Sequence, residues 1–254
     1  MVVLDGATGL NKVHLTPAAS DAQWLSQRLA ELLRKAIPDT EQSISAILAI
    51  AIETVRYELD SMGYQVLDHA YPSASIAVVR LNGDVLEGYS LGDCSIIIGK
   101  HNGLDLIHDD AVPKRDAAIL RWMAETCHRK NISMVEARML AEPMLLKNRL
   151  EMNQESSYWI LEPTGMGIPH GTVFRYKVHE VQEIALLSDG FYAYFDSLSL
   201  SPSLSAFMDT LRNRPLNQLF TQIRIAEHED RELIRFPRFK VSDDATVIYS
   251  ILDG

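Results

Sequence analysis

The most chemically suggestive feature of this sequence is where its aspartates stand relative to its apolar runs. Asp5 follows Val2, Val3 and Leu4. Asp189 follows Ile184, Ala185, Leu186, Leu187 and Ser188, while Asp243 and Asp244 precede Ala245, Thr246, Val247 and Ile248. Asp93 sits between two strand-like runs in Leu91-Gly92-Asp93-Cys94. If the last strand runs antiparallel to the strands ending near Asp5 and Asp189, the three sites meet at one rim. Two carboxylates ~4 Å apart repel by about 4 kcal/mol at an effective dielectric of ~20, so something positive has to stand between them. No Lys or Arg adjoins these aspartates in the chain. All-oxygen donors without His or Cys suit a hard ion such as Mg²⁺ or Mn²⁺. Gly6 and Gly190 allow close backbone approach, and the Gly6 carbonyl could add a neutral ligand. Two ions ~3.5 to 4 Å apart form the known clamp for in-line attack of water on a phosphate ester. Taken singly, each Asp-Gly pair reads as a turn or strand-end cap, and Asp243-Asp244 as a solvated turn. The shared setting at distant points of the chain is what favours a joint role.

These residues need a scaffold, and the hydrophobic periodicity supplies one. The spacing predicts a strand ending at Asp5 with a turn at Thr8-Gly9, then a helix capped by Ser20 with Gln23 and ended by Pro38. A second helix is expected to open at Asp39 with Gln42 and to stop at Gly63, giving two long antiparallel helices. Period-two patterning predicts strands over 75–81, 85–91 and 94–99, an antiparallel meander with turns at Asn82-Gly83 and Asn102-Gly103. A helical insertion is expected over about 114–153, broken at Asn131 and Pro143, with a capping box at Ser133 and Glu136. Strands follow over 157–161, 172–178 and 183–187, then helices from about Ser203 and Pro215 and a last strand over 245–252. No repeat or linker divides the chain, so it reads as one α+β domain over 1–254 with helices covering antiparallel sheet.

Composition narrows the function classes. The chain has 254 residues, 47% hydrophobic, with 24 Lys plus Arg against 34 Asp plus Glu and a formal net charge of -10. That balance argues against duplex DNA or an anionic membrane as partner. Cys94 and Cys127 are the only cysteines, too few for a disulfide framework or a structural zinc site. A reducing cytoplasm is the expected compartment, with no signal peptide or membrane span.

Four stretches, in order, resemble motifs of the protein phosphatase 2C family of metal-dependent Ser/Thr phosphatases: Val3-Leu4-Asp5-Gly6, Tyr89-Ser90-Leu91-Gly92-Asp93-Cys94-Ser95, Ala185-Leu186-Leu187-Ser188-Asp189-Gly190-Phe191 and Ser242-Asp243-Asp244-Ala245-Thr246-Val247-Ile248. Tyr71 to Ala77 resembles the small-residue strand that precedes the Gly-Asp-Ser motif, and the likeness spans nearly the whole chain. The resemblance implies an antiparallel β-sandwich flanked by helices, a four-layer αββα arrangement. It implies that Asp5 bridges two Mg²⁺ or Mn²⁺ ions, that Gly6 binds one through its carbonyl, and that Asp189 and Asp243 complete the site. A metal-bound hydroxide would then attack phosphoserine or phosphothreonine in a phosphorylated protein. The Asp-Asp-Ala-Thr form of the last motif looks like bacterial members.

Several positions depart from the family pattern. Asp93 matches a third-ion position, but the usual partner, four residues after Asp189, is Ala193 here; Asp196 lies three residues further on. Ala7 replaces the histidine that serves eukaryotic members as general acid. Members also carry an upstream strand with a phosphate-gripping arginine and a Glu-Asp pair, and no counterpart precedes Asp5. A late start, a misassigned start or a degraded domain are the readings this leaves open. The rivals to a protein phosphatase are therefore a catalytically degraded regulatory binding module and a phosphatase for a small metabolite.

Other features point to structure rather than chemistry. Gly165-Met166-Gly167 with Gly171 lacks P-loop spacing and a following Lys. The eight histidines show no zinc spacing. Cys127 and His128 are helix neighbours that cannot share a face. The run Glu227 to Arg231 reads as a solvated helix face, and Phe191, Tyr192, Tyr194 and Phe195 as core.

Overall fold

The computed structural model describes residues 1–7, 16–63 and 71–252. The turn expected at Thr8-Gly9 lies outside them. Strands β1 (Val2–Ala7), β2 (Ser73–Asn82), β3 (Val85–Leu91) and β6 (Thr172–Lys177) form a four-stranded sheet in the order β1-β2-β3-β6. Strands β4 (Ser95–Lys100), β5 (Gly103–Ile107), β7 (Val181–Leu187) and β8 (Val247–Ile251) form a second four-stranded sheet in the order β5-β4-β7-β8. Every pairing in both sheets is antiparallel.

The central strands read as unbroken apolar runs because both of their faces are covered. In β2, Ile76 and Val78 pack into a cluster with helices α1 (Asp21–Ala36) and α2 (Ile44–Ser61), while Ala77 and Val79 point between the sheets. In β7, Ile184 and Leu186 face the inter-sheet core, whereas Ala185 and Leu187 pack on helices α7 (Leu204–Asn213) and α8 (Leu216–Glu229). The layers are therefore helices, sheet, sheet, helices, as expected. Helices α3 (Ala111–Lys130), α4 (Met134–Leu140) and α5 (Glu142–Leu150) share a separate apolar cluster built on Ile119, Met123, Met134 and Ala141, with Phe239 packed against it. A short helix, α6 (Asp189–Tyr192), follows β7 directly.

Local signals held in several places and failed in others. Ser20 caps α1, and Ser133 with Glu136 forms the expected capping box of α4. Helix α2 is capped by Ser43, whose hydroxyl accepts from the Ala46 N–H; Asp39 instead accepts from the Glu41 N–H in the preceding loop. The break expected at Pro143 falls between α4 and α5, and Pro143 sits in the first turn of α5, where its missing N–H costs little. No strand forms over 157–161; only Leu161 bridges to Ala74. Beyond Gly103 the chain returns as β5, a strand that the period-two reading did not extend to.

One buried ion pair ties the first sheet to its helices. Arg80 stands across from Glu87 in the β2–β3 register, with Nη2 2.8 Å from Glu87 Oε2. The same guanidinium donates to the carbonyls of Asp39 and Gln42, each at 2.6 Å, closing the loop between α1 and α2. Removing one partner of a buried pair leaves polar groups unmatched. Arg80→Met is expected to cost about 3 kcal/mol in urea unfolding; a loss under about 1 kcal/mol would contradict this role.

Candidate active site

The four chemical motifs converge at one end of the inter-sheet layer. Val3 packs between the sheets, and Asp5, two residues on, continues the same face of β1 to the rim. Asp5 thus lies inside the strand, opposite Ser75 of β2, rather than at its end as the sequence suggested. Gly92, at φ +82°, turns the chain after β3, and a Cβ there would collide with Ser75. The turn aims Asp93 at Ser75, whose Oγ donates to Asp93 Oδ1 at 2.5 Å. Asp189 opens α6 directly after β7. A Cβ on Gly190 would lie 1.9 Å from the Asp244 carbonyl, so only glycine lets the Asp243-Asp244 segment pass this close. Ser188 pins that passage: its Oγ accepts from the Thr246 N–H at 3.0 Å.

Asp5, Gly6, Asp93, Asp189 and Asp243 consequently line a single cavity of about 300 Å³. The convergence expected from the sequence is present in the fold, which builds it from both sheets. A second cleft of about 390 Å³ adjoins it and shares Asp93, Asp189 and Asp243; Asp196 and Ala193 line that second cleft only.

The carboxyls are held under electrostatic stress. Burial pushes Asp5 up to about 6, relieved in part by a side-chain hydrogen bond from Asp189 and aggravated by the charges of Asp93 and Asp243. Burial also pushes Asp189 well above the ordinary carboxylate range, with Asp93 and Asp5 adding to it. Asp93 is raised, again chiefly by burial.

Four residues that the motifs did not point to complete the site. Lys240 Nζ lies 2.5 Å from Asp243 Oδ1, so a cation three positions away meets an aspartate that has no basic neighbour in the chain. Burial alone would lower the Lys240 pKa, but the hydrogen bond and charge of Asp243 outweigh it. Asp116 of α3 enters the cavity, and burial raises it to about 7. The Asp243 backbone is fixed by Arg224, whose Nη2 donates to its carbonyl at 2.6 Å, and by Glu227, whose Oε1 accepts from its N–H at 3.4 Å. Glu227 and Asp230 are therefore buried, contrary to the solvated helix face expected for 227–231: Arg224 pairs with the first at 2.5 Å and Arg238 with the second at 2.7 Å. The signal was faint, because the pairing arginines lie three and eight residues away and only the fold brings them in. Phe191, Tyr192 and Tyr194 are core, as expected.

Among the described residues, no group of three or more His, Cys, Asp or Glu side chains is arranged to hold a metal ion as it stands. Asp5 and Asp189 are closed on each other, and Asp243 is bound by Lys240. In chemistry the donor set does fit a hard divalent cation: oxygen atoms only, gathered on one cavity, and with more negative charge than Lys240 offsets.

No protein-family model matches the sequence, and no curated protein matches it. Solved structures do resemble it. The serine/threonine phosphatase PstP/Ppp of Mycobacterium tuberculosis superposes with a TM-score of 0.51 at 13% identity, over 100% of this chain and 99% of that one. The catalytic domain of the serine/threonine protein phosphatase PstP, in complex with two manganese ions, gives 0.50 at 12% identity, over 100% of this chain and 98% of that one. The chain has a protein phosphatase 2C-like fold. At these identities the likeness is one of fold, and the chemistry has to be argued from the cavity.

The raised pKa values carry a sign. Each of these acids binds its proton more tightly folded than unfolded, so between about pH 5 and pH 7 the native state binds more protons and stability falls as pH rises. In EDTA the thermal midpoint is expected to drop by about 5 °C across that window. A flat or rising profile would contradict the buried, mutually repelling cluster.

Proposed function

We propose that the chain is a phosphatase that depends on two Mg²⁺ or Mn²⁺ ions and hydrolyses phosphoserine and phosphothreonine esters of a phosphorylated protein in the cytoplasm. The observation that carries the reading is the meeting of Asp5, Asp93, Asp189 and Asp243 in one cavity, where Lys240 pairs with Asp243. The protein phosphatase 2C-like fold supports it, as does the manganese complex formed by one structural neighbour. Among the described residues no helix is long and apolar enough to cross a membrane. The reading takes 1–254 as one phosphatase-like domain in which the helical segment near 114–153 is an insertion.

In this reading Asp5, the Gly6 carbonyl, Asp189 and Asp243 would hold the ions, and Asp93 stands beside them, with Ala193 where a third ion's usual partner would be. Divalent ions there supply Lewis acidity at the phosphoryl group and activate water for in-line attack. The chain's own residues prepare the site. Divalent cations held there would exchange the mutual repulsion of Asp5 and Asp189 for coordination. Ser75 holds Asp93 by its hydroxyl, and Arg224 and Glu227 hold the backbone of Asp243. Leu145, Tyr158, Ile160 and Phe239 line the cavity with apolar surface, thinning the water around the charges and strengthening their interactions.

Asp189→Asn keeps the shape and removes one charge from the cavity. Mn²⁺-stimulated hydrolysis of p-nitrophenyl phosphate is expected to fall by about 10²-fold or more, with the midpoint in EDTA unchanged or higher. Retained turnover would overturn the assignment. Lys240 favours a second reading, a phosphatase-like binding module without catalysis, because its ammonium already neutralises Asp243. Calorimetric titration with Mn²⁺ separates the two: the phosphatase binds the ion, and a chain without affinity at millimolar Mn²⁺ is the module.

A further inference from the structure

An acidic cavity repels a phosphate ester, so a basic side chain lining it is needed to offset that repulsion at the phosphoryl oxygens. The cavity has three basic side chains, Arg138, Arg149 and Lys240. Lys240 is spent on Asp243. Arg149, near the end of α5, is in a different state. Its Nη1 donates to Ser73 Oγ at 2.5 Å and its Nη2 to the Tyr71 carbonyl at 3.1 Å, both neutral acceptors. Among the described residues it makes no ion pair; Glu162, whose charge it feels, is occupied by Asn153 and Thr164. A guanidinium has five N–H donors and cannot shed its proton, so Arg149 keeps both charge and spare donors. Burial lowers its pKa, a cost that an arriving anion would relieve.

Its anchor fixes where that charge stands. Ser73 and Ser75 project from the same face of β2, about 7 Å apart. Ser75 grips Asp93 and pairs with Asp5 in the strand register, while Ser73 grips Arg149 and pairs with Ala7. The guanidinium is thus one strand repeat from the carboxylates, across a span that a tetrahedral phosphoryl group can bridge.

We propose that Arg149 grips the phosphoryl oxygens of the ester substrate, so that the helical segment containing α5, and not either sheet, supplies the phosphate clamp. The proposal rests on the phosphatase reading for the ester but not for phosphate affinity. A fork of N–H donors suits a phosphoryl dianion and gives little to a carboxylate ester or an amide, which sets the substrate class.

The test is calorimetric titration of inorganic phosphate into the full chain with Mn²⁺ present, for the wild type, Arg149→Gln and Arg149→Lys. Gln keeps an amide donor for Ser73 and removes the charge. Its phosphate affinity is expected to fall about tenfold or more, with part recovered in Arg149→Lys and Mn²⁺ affinity unchanged in both. The wild type also offers a measurement that needs no variant to fold: phosphate should protect Arg149 from phenylglyoxal, mapped by mass spectrometry. Equal phosphate affinity in wild type and Arg149→Gln, or no protection, overturns the proposal. If the wild type binds phosphate through Arg149 yet hydrolyses no ester, the clamp stands and the phosphatase reading falls. If it hydrolyses ester while Arg149→Gln binds phosphate as well as wild type does, the clamp alone falls.

Discussion

Like charges forced together in a half-dry pocket are the constraint around which this molecule is organised. Two carboxylates about 4 Å apart repel by about 4 kcal/mol at a protein-like dielectric, and here five aspartates line one cavity. The fold lessens the repulsion with local devices: a hydrogen bond between Asp5 and Asp189, the Ser75 hydroxyl on Asp93, and the Lys240 ammonium on Asp243. Lys240 offsets one of these charges, and the remaining acids still crowd one another. The stress is stored at the site, and the rest of the structure has to hold it there.

It does so by geometry that tolerates little slack. The sandwich brings β1 from one sheet and β7 with β8 from the other to a common rim, so the acids cannot separate without parting the sheets. The inter-sheet core of Val3, Ala77, Val79, Ile96, Ile184 and Leu186 keeps them apposed. On the far side of β7, Arg224 and Glu227 clamp the backbone of Asp243, and the Arg238–Asp230 pair fixes the loop that delivers Lys240. Asp230 also accepts from the backbone N–H groups of Ile234, Arg235 and Phe236, so the loop's direction is set by one buried carboxylate. Buried pairs of this kind add little net stability, and a role in fixing one arrangement is the better account of them.

How far the sequence foretold this depends on the range over which each signal acts. Apolar runs ending in Asp-Gly are local, and they pointed to Asp5 and Asp189, as the Asp-Asp pair before the last apolar run pointed to Asp243; period two and 3.6 gave the sheets and helices because burial acts on consecutive residues. Competition between adjacent candidates misled the reading at α2, where Asp39 and Ser43 could each cap and Ser43 does. The stretch 157–161 has strand-like residues but finds only one bridge at Leu161, because pairing depends on a neighbour that local pattern does not reveal. Arg149, Asp116, Lys240 and the burial of Glu227 depend on how helices and loops pack across the sheet ends, and no spacing along the chain encodes that. Charged residues on amphipathic helices look alike whether they face water or a cavity.

The central claim, that these carboxylates form one site for divalent cations, is tested most directly by anomalous diffraction from crystals grown with Mn²⁺. The account predicts two peaks about 4 Å apart, between the carboxylates of Asp5, Asp189 and Asp243, with Lys240 displaced from Asp243. An empty cavity at millimolar Mn²⁺, with Lys240 still on Asp243 and Asp5 still bonded to Asp189, would contradict it.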